Sequence, residues 1–298
     1  MRIPDSILKS VVFLCGKKKG EFVVTGTGFL IHHKMEGEDA RVGYLVTARH
    51  VVDRLQDGGS EDTCVYIRAN TSRGTTAQFK REPGEWFRHE NDRVDIAISP
   101  CTMLDSMDQH HFGTEMFLTE RTLKSEHVGL GDDLFFPGLF SPRKGETRNI
   151  PIVRTGTIAA MPGEEIKTSL GMLRAYLVEA RSIGGLSGSP VFLHPGIARG
   201  NSGTVVFHAP KPKLYLLGMI HGHYGMGGEL TDVCSEGDAF GRERSVNMGI
   251  GIVCPADDIL ALLNQPNVVR HREQAAKAAQ RQQIKALSTH SPRPEAKA

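Results

Sequence analysis

The residues with the clearest chemical potential lie in Gly184-Gly185-Leu186-Ser187-Gly188-Ser189-Pro190-Val191-Phe192. Small residues crowd Ser187, and an apolar, strand-like pair follows Pro190. Glycine permits the backbone angles of a tight turn that projects a hydroxyl. Backbone N–H groups of such a turn can be aimed at one point, where they stabilise a developing oxyanion. That combination suits acyl transfer through a serine nucleophile. On turn chemistry alone, the same string is equally an ordinary β-turn. A base and an orienting acid must therefore be sought elsewhere in the chain.

Both have candidates upstream. Tyr44-Leu45-Val46-Thr47-Ala48-Arg49-His50-Val51-Val52 is a β-prone apolar run that delivers a histidine, and Arg93-Val94-Asp95-Ile96-Ala97-Ile98 sets one carboxylate at the head of a short apolar strand. An aspartate buried beside aliphatic residues is costly unless paired. The N–H of a neutral imidazole satisfies it, and fixes the tautomer whose other nitrogen can take a serine proton. Asp92 is the rival acid, but it sits in the polar run His89-Glu90-Asn91-Asp92-Arg93, whereas an aliphatic strand follows Asp95 directly. Taken singly, His50 reads as a strand-end histidine and Asp95 as a strand cap. Taken together, the chain order His50, Asp95, Ser187 is the one that the chymotrypsin fold uses.

The chain resembles the trypsin-like serine peptidases of that fold, in particular the bacterial HtrA-like and glutamyl-endopeptidase branch. The resemblance is carried by Gly26-Thr27-Gly28-Phe29-Leu30-Ile31, Thr47-Ala48-Arg49-His50-Val51-Val52, Val94-Asp95-Ile96-Ala97-Ile98 and Gly185-Leu186-Ser187-Gly188-Ser189-Pro190. Leu217-Gly218-Met219-Ile220-His221 and Asn247-Met248-Gly249-Ile250-Gly251-Ile252 extend it to about residues 10–264. It implies peptide-bond hydrolysis by His50, Asp95 and Ser187, with the backbone N–H groups of Gly185 and Ser187 as the oxyanion hole. It also implies a primary pocket with Arg181 at its base and Ile220, His221, Gly222 and His223 along its wall. A basic pocket of Arg181 and His221 would select an acidic residue before the cut; with Arg181 turned to solvent, the pocket would take small apolar residues. Leu186 stands where HtrA-like enzymes usually carry Asn and animal trypsins Asp, so the nucleophile turn must be tethered differently. No metal or organic cofactor is expected. The partners implied are a protein or peptide substrate and, in a second reading, an activating protein that switches on a latent protease. An inactive peptidase-fold module that binds peptides or proteins is the third reading. Neither a membrane nor a nucleic acid is an expected partner.

The rest of the sequence must position these residues. Of 298 residues, 39% are hydrophobic, enough for a large core. Thirty-three glycines, fifteen prolines and many short β-prone runs predict an all-β chain. With the resemblance, this becomes a chymotrypsin-like double β-barrel with a short C-terminal helix and a basic helical or disordered tail. The net charge of +2 gives no steer toward nucleic acid. Five cysteines, at 15, 64, 101, 234 and 254, are odd in number and lack Cys-x-x-Cys spacing. They suggest neither a zinc pattern nor a disulfide framework, and so a reducing cytoplasm. The apolar run from Ile7 to Cys15 is interrupted by charge and lacks a small-residue cleavage site, so it reads as the first strand.

Strands are expected at Val11–Leu14, Glu21–Thr25, Gly28–Ile31, Gly43–Thr47, Cys64–Arg68 and Thr75–Lys80, with a helical turn after His50. Lys17-Lys18-Lys19-Gly20 is the tip of the first hairpin. His32-His33 lacks further ligands at metal-site spacing. The expected organisation is a peptidase domain over 1–264, with an N-terminal barrel near 10–100, an irregular linker near 101–127, a C-terminal barrel near 128–255 and a helix over 256–264. The loop 139–150 occupies a place where relatives carry a mobile regulatory loop, but its simpler and preferred reading is an exposed surface loop. Residues 265–298 form a basic tail. From Arg270 onward it holds seven Lys/Arg against two Glu, and His271–Leu287 could form a solvated helix.

Overall fold

The computed structural model describes residues 2–35, 41–102, 104–168, 171–180, 185–196, 198–201, 204–207, 214–225, 230–231 and 247–289. After the short helix α1 (Asp5–Lys9), the N-terminal half builds one sheet from β1 (Val11–Lys18), β2 (Glu21–Lys34), β3 (Arg41–Thr47), β4 (Val65–Asn70), β5 (Thr76–Arg81), β6 (Phe87–Arg88) and β7 (Ala97–Pro100). Their order is β5-β4-β1-β2-β3-β7-β6, and β8 (Phe112–Gly113) joins β2 in parallel. Helix α2 (Arg49–Arg54) follows β3.

The C-terminal half contains β9 (Asp133–Gly138), β10 (Ile152–Ala160), the hairpin β11 (Glu165–Thr168) with β12 (Gly171–Arg174), β13 (Tyr176–Glu179) and β14 (Pro190–Leu193). A second hairpin of β15 (Ala198–Asn201) and β16 (Thr204–Phe207) precedes β17 (Tyr215–Gly225), β18 (Leu230–Thr231) and β19 (Asn247–Pro255). The main order is β14-β9-β10-β13-β19-β17-β18, and β14 also pairs with β17, closing a barrel. Closure leaves the six strands of the ring, β14, β9, β10, β13, β19 and β17, no open edge, and β18 hangs from β17.

Local chemistry explains several of these elements. The β1–β2 hairpin turns through Lys19 and Gly20, both at positive φ (51° and 79°). That is the backbone twist short hairpins prefer. The expected break between two strands near Gly26 does not occur, and β2 runs unbroken for 14 residues. Gly26 is instead a place of close approach: a Cβ there would stand 2.6 Å from Val51 Cγ1 on α2. The expected irregular linker contains α3 (Glu120–Ser125). Its Thr119 cap accepts the Thr122 N–H, and a Glu120–Lys124 ion pair at 2.8 Å spans one turn.

One apolar cluster crosses between the two halves, joining Phe29, Val46 and Ile98 to Phe135, Phe192 and Met219. A run of rings marks the crossing: Phe29 stacks on Phe112, Phe112 meets Phe192 edge-on, and Phe192 stacks on Phe135, with centroids 5.7, 5.2 and 5.3 Å apart. Each such pair adds about 1 kcal/mol beyond its buried area. This seam makes a firm platform for a site between the barrels.

The loop after β9 is clasped rather than loose. Arg68 donates to the carbonyls of Gly145 and Glu146, both at 2.9 Å, while Asn149 donates to Arg68 O and exchanges hydrogen bonds with Asn70. At the C-terminus, α4 (Ala256–Leu263) is followed almost at once by α5 (Pro266–Thr289). Proline suits the first helical position, where its missing N–H costs nothing. The start of α5 is docked: Val268 is buried, Arg272 Nη1 donates to Leu263 O at 3.0 Å, and His271 meets Phe87. Cys15, Cys64, Cys101 and Cys254 are free thiols, and Cys234 lies outside the described residues. Among the described residues, no helix is long and apolar enough to cross a membrane.

Candidate active site

Strand register brings His50 and Asp95 together. Thr47 on β3 lies opposite Ala97 on β7, so the residues just beyond β3 face those just before β7. His50 Nδ1 is 2.7 Å from Asp95 Oδ2, and the His50 backbone N–H donates to Asp95 Oδ1 at 2.8 Å. Ala48, at the start of α2, offers no side-chain cap. The Asp95 carboxylate fills that role from another element, accepting an N–H in the first turn of the helix. Asp95 is wholly buried. Burial alone would raise its carboxyl, but the imidazoles of His50 and His221 outweigh it and hold the group below the ordinary carboxylate range. Asp92, the rival acid, is exposed and pairs with Arg49 at 2.8 Å.

The Ser187 turn is set by β14 and β17. The Gly188 N–H donates to Ile220 O, and the Ile220 N–H to Ser189 O, both at 2.9 Å. From the other barrel, the Thr27 N–H donates to Ser187 O at 3.1 Å. Gly185 and Gly188 hold φ of 97° and 86°, in the region open chiefly to glycine. A Cβ on Gly188 would come within 2.0 Å of Thr27 O and 2.6 Å of Thr47 Oγ1, so the turn nests against the strand end that leads to His50.

The altered tether at Leu186 is also explained. Leu186 is buried in the apolar cluster of the C-terminal barrel with Phe136, Val191 and Ile220. The polar fixing falls to Thr27, whose hydroxyl donates to Gly185 O at 2.7 Å and accepts from the Leu139 N–H at 2.9 Å. Neither the role of Thr27 nor that of Thr47, which donates to Thr27 O at 2.7 Å, is visible in the sequence, because both depend on contacts between distant strands.

The residues expected to line a primary pocket fall in different surroundings. Arg181 lies outside the described residues. Ile220, Gly222 and His223 lie along β17, with Gly222 opposite Ile252 and His223 opposite Gly251. His221 differs from expectation. It is fully buried, and its Nδ1 lies 2.6 Å from Asp95 Oδ2, so the ring is turned to the carboxylate instead of a substrate side chain. His221 sits at a register shift, where β17 carries an extra residue against β19 between Ile220 and Gly222.

His50, Asp95 and His221 offer three ligand-type atoms within 4.8 Å of one another. Their 2.6 and 2.7 Å contacts are hydrogen-bond lengths. Ligands of a tetrahedral zinc ion stand about 3.3 Å apart, as Zn–N and Zn–O lengths near 2 Å require. The trio therefore has the geometry of shared protons, and we do not identify it as a metal centre.

No family model matches the sequence, and no curated protein matches it. Solved structures do. The apo MamO protease domain from Magnetospirillum magneticum is similar at 15% identity, over 87% of this chain and 98% of that one, with a TM-score of 0.52. Deg5 matches at 15% identity, over 86% of this chain and 88% of that one, with a TM-score of 0.46. The inactive form of the Rv3671c protease of M. tuberculosis matches at 16% identity, over 86% and 87%, with a TM-score of 0.44. The likeness to the MamO domain covers both barrels and shows the fold: a chymotrypsin-like double β-barrel of the kind found in HtrA-like, trypsin-fold proteases.

Proposed function

We propose that the chain is a serine endopeptidase whose acid–base pair is His50 and Asp95 and whose nucleophile is Ser187. One observation carries the reading: a histidine bound through Nδ1 to a buried carboxylate, with the glycine-shaped turn of Ser187 packed against the strand end that leads to that histidine. Ser187 Oγ attacks the scissile carbonyl while His50 Nε2 takes its proton. The tetrahedral intermediate collapses to an acyl-enzyme as His50 returns the proton to the leaving amine. Water, activated by the same nitrogen, then releases the acid. Asp95 keeps the His50 proton on Nδ1 and stabilises the imidazolium that forms. The N–H groups of Gly185 and Ser187 are the oxyanion donors in this reading, each worth about 10²–10³ in rate. The peptidase unit is residues 1–264. With His221 engaged by Asp95, an acidic preference in the primary pocket would rest on Arg181.

A second reading, activation by a protein partner, is favoured by one contact. A Cβ on Gly185 would touch Leu139 at 3.0 Å and Ser141 at 3.4 Å, so the start of the loop 139–150 adjoins the nucleophile turn. Labelling of the purified protein with a fluorophosphonate probe, beside Ser187→Ala and His50→Ala, tests both. Stoichiometric labelling lost in both variants is expected. A folded protein that takes no label would overturn the constitutive reading and direct the search to a partner of this loop.

A further inference from the structure

His221 has no part in the chemistry above, yet it is fully buried with its Nδ1 against the carboxylate that His50 uses. Asp95 Oδ2 receives both imidazoles, at 2.7 and 2.6 Å, one from each barrel, and the two rings stand perpendicular with centroids 5.7 Å apart. Both contacts are explained if each Nδ1 carries a proton and donates. Met219, two residues before His221, and its cross-strand partner Cys254 both lie in the apolar cluster between the two halves, and alternation along β17 puts His221 on that same face, toward Asp95. Among the described residues, the Cys254 thiol on β19 is a further titratable group near the carboxylate; burial first, and then the Asp95 charge, push it well above its usual value, so it stays neutral.

We propose that His221 is a positioning residue: by donating to Asp95 Oδ2, it locks the carboxylate across the barrel seam and shares the charge that would otherwise act on His50 alone. It deepens the serine-peptidase reading and takes its catalytic meaning from it. A carboxylate that already accepts a second strong donor stabilises the His50 imidazolium less. Loss of that donor would therefore leave the Asp95 charge to act on His50 alone.

Histidine-selective nitrogen NMR across a pH series, paired with pH profiles of kcat/KM, tests this in wild type, His221→Asn and His221→Leu. The Asn amide places an N–H near the Nδ1 position but cannot ionise. In wild type, a proton is expected on Nδ1 of both rings. In His221→Leu, the His50 midpoint should rise by about one unit, and the acid limb of kcat/KM should move with it. In His221→Asn, both should stay close to wild type. An unchanged His50 midpoint in all three overturns the role of His221, even if turnover is normal. A shifted midpoint without turnover in wild type keeps the role and overturns the peptidase reading instead. If His221→Leu does not fold, the wild-type spectrum decides: an unprotonated His221 Nδ1 overturns the proposal.

Discussion

The two halves of the candidate site are held by different physics. In the acid–base half, donors converge on one buried carboxylate, so its order is electrostatic: the His50 N–H, His50 Nδ1 and His221 Nδ1 all lie within 2.8 Å of Asp95 oxygens. The nucleophile half is held by conformation and fit. Two glycines at positive φ, the Thr27 hydroxyl and the buried Leu186 fix the Ser187 turn. The first half should fail by a change of charge in an intact fold. The second should fail by the addition of one methyl group.

The largest expected effect breaks the first half. Asp95→Asn preserves shape but removes the charge, and kcat should fall by about 10⁴ as the imidazole loses its fixed tautomer. Circular dichroism should show an intact fold, and a loss of under tenfold would refute the assignment of Asp95. Gly188→Ala breaks the second half with the opposite signature. Its Cβ meets Thr27 O at 2.0 Å in a backbone held at φ 86°, so thermal unfolding should report a loss of about 3 kcal/mol or more. Thr27→Val is gentler, leaving Gly185 O and the Leu139 N–H without the hydroxyl they share. It should cost about 2 kcal/mol and slow fluorophosphonate labelling more than it lowers stability. Equal effects on the two would mean that Thr27 serves only the fold.

The smallest effect is a control outside both halves. On α4, burial first and the neighbouring Asp257 charge second raise the Asp258 carboxyl to about 6. Because the folded state favours the protonated acid, this contribution to stability is present at pH 4 and is lost as pH rises through about 6. Asp258→Asn should therefore stabilise the protein by about 1 kcal/mol at pH 8, do nothing at pH 4, and leave probe labelling unchanged. Altered labelling would show that the site depends on α4.

What the sequence reveals of this site follows the range of the interactions. The strings around His50, Asp95 and Ser187 are local: an apolar run, a strand head, a glycine-rich turn. Each could be read alone, and their order added the fold. The aim of His221 is hidden because it depends on Asp95, 126 residues earlier, lying against β17, a contact between the two halves that no single stretch displays. The unbroken β2 was misread for a related reason. Its sequence reads as two strands, Glu21–Thr25 and Gly28–Ile31, whereas Gly26 between them is small where Val51 approaches. Helix α3 did leave a local trace, since Thr119 followed by Glu120, Thr122 and Lys124 is a capped helical start. The docked start of α5 left less, because basic residues outweigh Val268 in its composition.

That docking has a consequence for the order in which the molecule can be completed. Phe87 and His271 touch across about 180 residues of chain, a closure of the kind that slows folding because loop entropy is lost before the contact repays it. During synthesis, Phe87 is made long before its cover. Both β6 and the end of α4 must be in place before α5 has a surface to settle on. The first turns of α5 are thus the last stitch of folding, and the flank of β6 stays open to chaperones or to misassociation until they arrive.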